Sequence, residues 1–171
     1  MKIRIIGACG SGKSSISREI SQKLAIKNYE LDNFVWDKSE ANKRYSEQIR
    51  DIKLKEVISQ DSWIIEGVHY KWALESFRQA DYIFILAPLT ITRDFRVINR
   101  FIRTRLGLEN WNYKQSFMNL LQMLRYNRKF DHVHLKNIIK LTEQYDSKRF
   151  FVRSNKEVLN FMCKCYRKLK C

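Results

Sequence analysis

Gly7-Ala8-Cys9-Gly10-Ser11-Gly12-Lys13-Ser14 is the stretch from which the rest of the chain is read. It spells G-x-x-x-x-G-K-S, the spacing of a phosphate-cradling P-loop. Lys2-Ile3-Arg4-Ile5-Ile6 before it is a short β-branched run and predicts a strand. After it, Ile16, Ile20 and Leu24 recur on one helical face. Strand, glycine turn and helix N-terminus are the context this chemistry needs. Gly7, Gly10 and Gly12, with Ala8, Cys9 and Ser11 between them, let the backbone close around an anion. Successive N–H groups, continuing through Lys13, Ser14 and Ser15, then point at phosphate oxygens. Lys13 adds a mobile positive charge for the outer phosphates, and Ser14 offers a hydroxyl to Mg²⁺. A chance glycine turn before a helix would explain the glycines but not both flanks.

The length of 171 residues predicts one domain over 1–171, carrying at most a small mobile insertion, and 44% apolar content supplies its core. No run of 18 apolar residues occurs, so no membrane span is expected. Residues 1–6 run straight into the P-loop, which predicts no signal peptide. Four cysteines without an export signal predict free thiols in a reducing cytosol, and so a cytoplasmic location. The net charge of +15 is uneven. Residues 1–92 hold 14 Lys/Arg and 12 Asp/Glu, net +2; residues 93–171 hold 19 and 6, net +13. A basic half beside a phosphate loop suggests polyanionic ligands, either nucleotides or nucleic acid. A solvated basic surface accounts for part of the excess.

Further along, Asn28-Tyr29-Glu30-Leu31 predicts a second strand ending at Asp32. A polar segment, 33 to 44, carries Phe34 and Trp36. Residues 46–60 read as a helix with Ile49, Ile52 and Val57 inward. Ser62-Trp63-Ile64-Ile65 is a third strand, apolar enough to be buried on both faces, and it ends at Glu66-Gly67. A short helix over 71–79 precedes a fourth strand, 81–86, closed by Pro88. A long helix spans about Thr90 to Leu106, and Gly107 breaks it before a loop to Tyr113. Phe117, Leu120, Leu121 and Leu124 mark one further helix, and Leu135, Ile138 and Ile139 the next. Residues 149–152 make a fifth strand, and 156–169 a last helix with Val158, Met162, Cys165 and Leu169 inward. Strands alternating with helices predict an α/β fold with a parallel sheet.

In such a sheet, ligands sit outside the carboxyl ends of the strands. Asp32, Glu66 and Arg153 stand at those ends. Glu66 is the first candidate to hold Mg²⁺ with Ser14. Asp32 is the candidate substrate anchor or general base. Arg153 is a candidate nucleotide contact. Acids at strand ends also serve turns and caps. Arg93, Arg96, Arg100 and Arg103 are spaced 3, 4 and 3 along the long helix and fall within about 80° of arc. Phe95, Val97, Ile98, Phe101 and Ile102 occupy the other side. Planar guanidinium groups suit the charge of a transferring phosphoryl group, so Arg93, Arg96 and Arg100 are catalytic candidates in a lid region around 93–130. A solvated face is the competing reading. Phe34, Trp36, Trp111 and Tyr113 suit either base stacking or packing. Cys9 reads as a small filler rather than a redox thiol. Cys163, Cys165 and Cys171 lack zinc spacing, and His132 and His134 read as solvent or packing residues.

The P-loop, Leu31-Asp32 with Trp36 four residues on, Trp63-Ile64-Ile65-Glu66-Gly67, Ala80-Asp81 and the arginine helix together resemble adenylate-kinase-like P-loop proteins. Within them, the resemblance is to the group labelled DNA topology modulation protein (FlaR-like). It covers nearly the whole chain, in order. It implies a three-layer α/β/α P-loop NTPase fold with a five-stranded parallel sheet, order 2-3-1-4-5, and a helical lid between strands four and five. It also implies ATP and Mg²⁺. Glu66-Gly67-Val68-His69 stands where many members have Asp-Gly-Asn-Tyr, and Pro88-Leu89 where many have Pro-Arg. The expectation is an ATP-dependent kinase, monomeric by default, that transfers the γ-phosphoryl group to a small acceptor, with a nucleotide or nucleoside favoured. A nucleic-acid-binding protein regulated by ATP is the alternative, resting on the basic C-terminal half. A switch GTPase would need a guanine motif that Asn155-Lys156-Glu157-Val158 does not complete. A motor ATPase would need paired acids at a strand end.

Overall fold

The computed structural model describes residues 1–37, 43–108 and 116–165. Trp111, Tyr113, Leu169 and Cys171 lie outside them, as does most of the predicted loop after Gly107. The β-branched runs form β1 (Lys2–Gly7), β2 (Asn28–Glu30), β3 (Trp63–Glu66), β4 (Tyr82–Leu86) and β5 (Arg149–Val152). The helices are α1 (Lys13–Leu24), α2 (Asp32–Val35), α3 (Glu47–Ile58), α4 (Leu74–Gln79), α5 (Thr90–Arg105), α6 (Phe117–Lys129), α7 (Leu135–Leu141) and α8 (Asn155–Cys165). The sheet order is β2-β3-β1-β4-β5, and every pairing is parallel. β1 is therefore central, with Ile3 opposite Ile64 on one side and Tyr82 on the other. The P-loop leaves the middle of the sheet, where strand ends from both sides converge on it.

Two apolar clusters cover the sheet. Ile16 and Ile20 of α1, with Val158 and Met162 of α8, pack on Ile3, Ile5, Ile64 and Phe84. Leu54 and Val57 of α3, Phe77 of α4, Phe130 and Ile138 pack on Ile6, Ile65, Ile83 and Ile85. The result is a three-layer P-loop α/β fold. Strands covered on both faces explain why Trp63-Ile64-Ile65 carries no polar alternation.

Helix facing departs from expectation at four places. Ser46 caps α3 by accepting from the Ile49 N–H, and the helix buries Leu54, Val57 and Ile58, leaving Ile49 and Ile52 exposed. The helix carries two partial apolar stripes, and only the sheet chooses between them. Cys165 is exposed rather than packed, lying at the last described turn of α8. The helices predicted around Leu120 and Ile138 are one continuous run, joined by a π-helical turn, Phe130–His134. That wider turn sends Phe130 into the core and Asp131 towards α5. Finally, α5 is turned over. Arg93 and Val97 face inward, while Ile91, Phe95, Ile98 and Ile102 face out.

Candidate active site

Where β1 ends, Gly10 (φ 72°) and Gly12 (φ 98°) adopt the left-handed backbone that curls the loop. Neither has room for a side chain. A Cβ on Gly10 would lie 2.5 Å from the Arg93 carbonyl oxygen, and one on Gly12 would lie 2.8 Å from Asn155 Oδ1. Gly10→Ala is therefore expected to destabilise the fold by about 2–3 kcal/mol, from backbone strain plus the displaced α5. Thermal unfolding measures it; a loss below about 0.5 kcal/mol would contradict this packing. α1 starts at Lys13 with no side-chain cap on its N-terminus. Its first N–H groups have no partner within the helix and are open to an anion.

Glu66 closes β3 beneath this loop. Its Oε1 accepts a 2.6 Å hydrogen bond from Ser14 Oγ, and its Oε2 lies 4.0 Å from Lys13 Nζ. The carboxylate is buried, and Oε2 has no hydrogen-bond partner among the described residues. Burial pushes this carboxyl up; Lys13 and Ser14 pull it down, while Glu30 and Asp32 push it up further. A buried carboxylate oxygen without a partner, beside a hydroxyl, is a hard-oxygen donor set that fits Mg²⁺.

Asp32 opens α2 after β2, with its carboxylate largely open to the cleft. Its Oδ1 is 3.1 Å from His69 Nε2. That hydrogen bond holds the carboxyl below its ordinary value, and Lys13 adds to the effect against desolvation. The His69 ring leans on Trp72 at 5.3 Å, and the Arg50 guanidinium lies 4.6 Å over the same indole. The backbone of the His69 segment is held from below by Arg4, which is fully buried in β1. Arg4 Nη2 donates to the carbonyls of Gly67 (3.0 Å) and His69 (2.9 Å), and Nη1 to those of Ile5 (2.6 Å) and Ile65 (3.2 Å). Burial lowers the Arg4 guanidinium to about 9, with Glu66 acting to raise it.

The predicted arginines separate. Arg96 Nη1 donates to the carbonyls of Gly10 (3.2 Å) and Ser11 (3.1 Å), so its guanidinium does reach the P-loop. Arg93 does not: its side chain is 1% exposed and is ion-paired with Asp131, with a further 3.0 Å bond to Thr90 Oγ1. Its backbone carbonyl, not its charge, approaches the loop. Arg100 reaches Met123 Sδ of α6 at 3.6 Å. Arg153 lines a pocket of about 390 Å³ at the ends of β4 and β5, with Ala87, Phe151, Val152 and Glu157.

The remaining candidates are structural in their surroundings. Phe34 is core, and Trp36 is exposed under the Arg44 guanidinium at 4.3 Å. His134 bonds to the Tyr70 hydroxyl at 3.2 Å. Cys9 and Cys165 are free thiols, but Cys163 is disulfide-bonded, against the expectation of free thiols throughout. Sequence reasoning missed the parts played by His69, Arg4 and Asp131. The signals were a lone arginine inside Ile-Arg-Ile and a lone acid in a basic stretch.

No protein-family model matches the chain. One curated relative, "Uncharacterized protein YqaC" of Bacillus subtilis (strain 168), is 26% identical over 95 residues, 56% of this chain. The match spans about half, 52%, of that relative's length. Among solved structures, the chain is similar to a deoxyadenosine kinase from M. mycoides. With bound dATP the TM-score is 0.56 at 20% identity, covering 96% of this chain and 98% of that one. With the products dCMP and a flexible dCDP bound it is 0.56 at 18%, covering 99% and 100%. At these identities the likeness speaks for the fold, a P-loop kinase-like one.

Proposed function

We propose that the protein is an ATP-dependent kinase that moves the γ-phosphoryl group to a hydroxyl of a small acceptor, a nucleoside or nucleotide. The observation that carries this is the convergence of Lys13, Ser14 and Glu66 at one point, with Asp32 on the neighbouring strand end. The uncapped N-terminus of α1 and the P-loop amides hold the donor phosphates, and Lys13 neutralises the outer ones. Ser14 and Glu66 are the residues that would hold Mg²⁺, which when bound stabilises charge on the β- and γ-oxygens. Asp32, oriented by His69, takes the proton of the acceptor hydroxyl as its oxygen bonds to the γ-phosphorus and the bridging P–O bond to ADP breaks. Arg96 braces the loop and meets the transferring group, with Arg100 behind it. Arg93 serves as an anchor of α5. The Arg153 pocket takes the nucleoside end of ATP. The two deoxyadenosine kinase structures, and the resemblance of Trp63-Ile64-Ile65-Glu66-Gly67 to the FlaR-like group, support this reading.

The test is ADP release from ATP–Mg²⁺ across nucleosides, nucleoside monophosphates, small hydroxy acids and nucleic-acid ends. A hit that vanishes in Lys13→Ala supports the kinase. A flat panel with ATP still bound would overturn it in favour of a nucleotide sensor.

The two carboxylates titrate in opposite directions, and this gives a pH signature. Glu66 is raised, so acidification protonates it first, above the ordinary carboxylate value of about 4.3. Asp32 is lowered and stays ionised below about 3.9. Mg²⁺-dependent nucleotide binding is expected to weaken on acidification before any Asp32-dependent step does. Calorimetry of ATP–Mg²⁺ binding between about pH 4 and 7 checks the order; a fall absent in Glu66→Gln assigns it to Glu66.

A further inference from the structure

Arg4 stands where an apolar residue would fit. Its neighbours along β1, Ile3 and Ile5, are fully buried, and across the sheet it is in register with Ile65 and Ile83. Its guanidinium lies 4.9 Å over the Phe77 ring, and its Nε has no hydrogen-bond partner among the described residues. Its four hydrogen bonds there all go to main-chain carbonyls, none to a carboxylate. A charge buried in this way costs more than an apolar side chain of similar reach.

The four carbonyls differ in what else holds them. Ile5 and Ile65 belong to paired strands, and the Ile5 carbonyl also accepts from the Gly67 N–H at 3.2 Å. Gly67 and His69 lie past the end of β3, in the irregular stretch before α4, and both of their carbonyls accept from Arg4 Nη2. The His69 side chain is 28% exposed, and the Asp32 side chain to which it bonds is 63% exposed. A pair this open to water competes with solvent for its hydrogen bond, so it keeps one geometry only where the backbone behind it is fixed. On the Asp32 side that backbone is tied to the same strand end, because the Leu31 N–H donates to the Glu66 carbonyl at 2.9 Å.

We infer that Arg4 is a positioning residue for the Asp32–His69 pair: by holding the Gly67 and His69 carbonyls from inside the core, it sets His69 Nε2 on Asp32 and so aims Asp32 at the acceptor hydroxyl. The catalytic consequence rests on the kinase reading; the clamp itself is a property of the fold and is measured without turnover. A methionine at position 4 fills similar space but leaves both carbonyls without a donor, and the His69 segment then relaxes away from Asp32. A lysine keeps the charge but lacks the planar fork that serves several carbonyls at once.

Carbon-13 NMR titration of the Asp32 carboxyl between about pH 3 and 7 is the test. The His69 bond holds this group below its ordinary value, Lys13 pulls the same way, and Glu66 and Tyr126 are also electrostatically coupled to it. Arg4 bonds to the side chain of none of these. Arg4→Met and His69→Ala should each raise the Asp32 midpoint towards about 3.9, and the two together no further than His69→Ala alone. Arg4→Lys, the gentler variant, should raise it too. Ile83→Ala, which opens the core beside Arg4 and spares the clamp, should not. With an acceptor in hand, Arg4→Met should lower kcat about ten- to hundredfold, the scale of loss from a displacement of about 1 Å. In a His69→Ala background it should add less than about twofold. An unmoved midpoint in Arg4→Met and Arg4→Lys would overturn the inference. So would a parent-like midpoint in Arg4→Lys alone, which assigns the effect to charge, or an equal shift in Ile83→Ala, which assigns it to core stability. The expected midpoints with no acceptor turned over would uphold the clamp and count against the kinase reading instead.

Discussion

Lys13→Ala is expected to lower phosphoryl transfer by about 10³-fold or more while leaving the fold intact. A positioned cation on a transferring phosphoryl group acts in a partly dehydrated site, where removing one electrostatic contact commonly costs about 10²–10³. Here the loss compounds. Lys13 Nζ is 4.0 Å from Glu66 Oε2, and Lys13 is the main influence that keeps this buried carboxyl from rising further. Without Lys13, Glu66 holds its proton more tightly, and a protonated carboxyl is a poor Mg²⁺ ligand. The variant should therefore lose Mg²⁺-dependent affinity as well as turnover. Steady-state ADP release and nucleotide titration, with and without Mg²⁺, measure the two losses separately. Turnover within about tenfold of the parent would sink the proposed role of the loop.

The second large effect is on stability. Asp131→Ala is expected to destabilise the protein by about 3–5 kcal/mol, the cost of stranding a buried charge. The Arg93 side chain is 1% exposed, and its Nε and Nη1 have no partner among the described residues. Asp131 is thus the counter-charge that makes burial of this guanidinium tolerable, with Thr90 Oγ1 as a neutral helper. At about 2–4 °C per kcal/mol for a chain of this size, the melting temperature should fall by roughly 6–20 °C. Replacing both partners, Arg93→Leu with Asp131→Leu, should recover much of the loss, because no unpaired charge remains. A drop under about 1 kcal/mol in the single variant would show that water reaches Arg93. Because the Arg93 carbonyl abuts Gly10, the single variant should also loosen the P-loop and weaken nucleotide binding.

The strand–loop–helix unit around Gly10 and Gly12 was legible because its demands are local. Left-handed backbone needs glycine at those positions, and a strand buried on both faces needs an unbroken apolar run. Glu66 was legible for the same reason: Trp63-Ile64-Ile65 announces a buried strand, and the next residue stands at its carboxyl end. Arg93 shows the limit. Four arginines at helical spacing share one face on paper, yet one is locked to Asp131, one holds P-loop carbonyls and one reaches Met123. Periodicity states which residues share a face, not what the face meets.

The same division runs through the whole molecule. The amino-acid sequence by itself determined the P-loop, the five strands and the acids at their ends, since each follows from contiguous residues and their backbone preferences. The tertiary structure alone decided which side of α5 is buried, which acid receives His69, and that Arg4 holds the segment behind Glu66. Those outcomes turn on desolvation. A guanidinium can leave water only where carbonyls or a carboxylate from distant segments await it, and Asp131, 38 positions away, supplies the carboxylate for Arg93, whereas Arg96 stays exposed while reaching the Gly10 carbonyl 86 positions away. Arg93 took the inward side of α5 because its partner was there, and the isoleucines were left facing out.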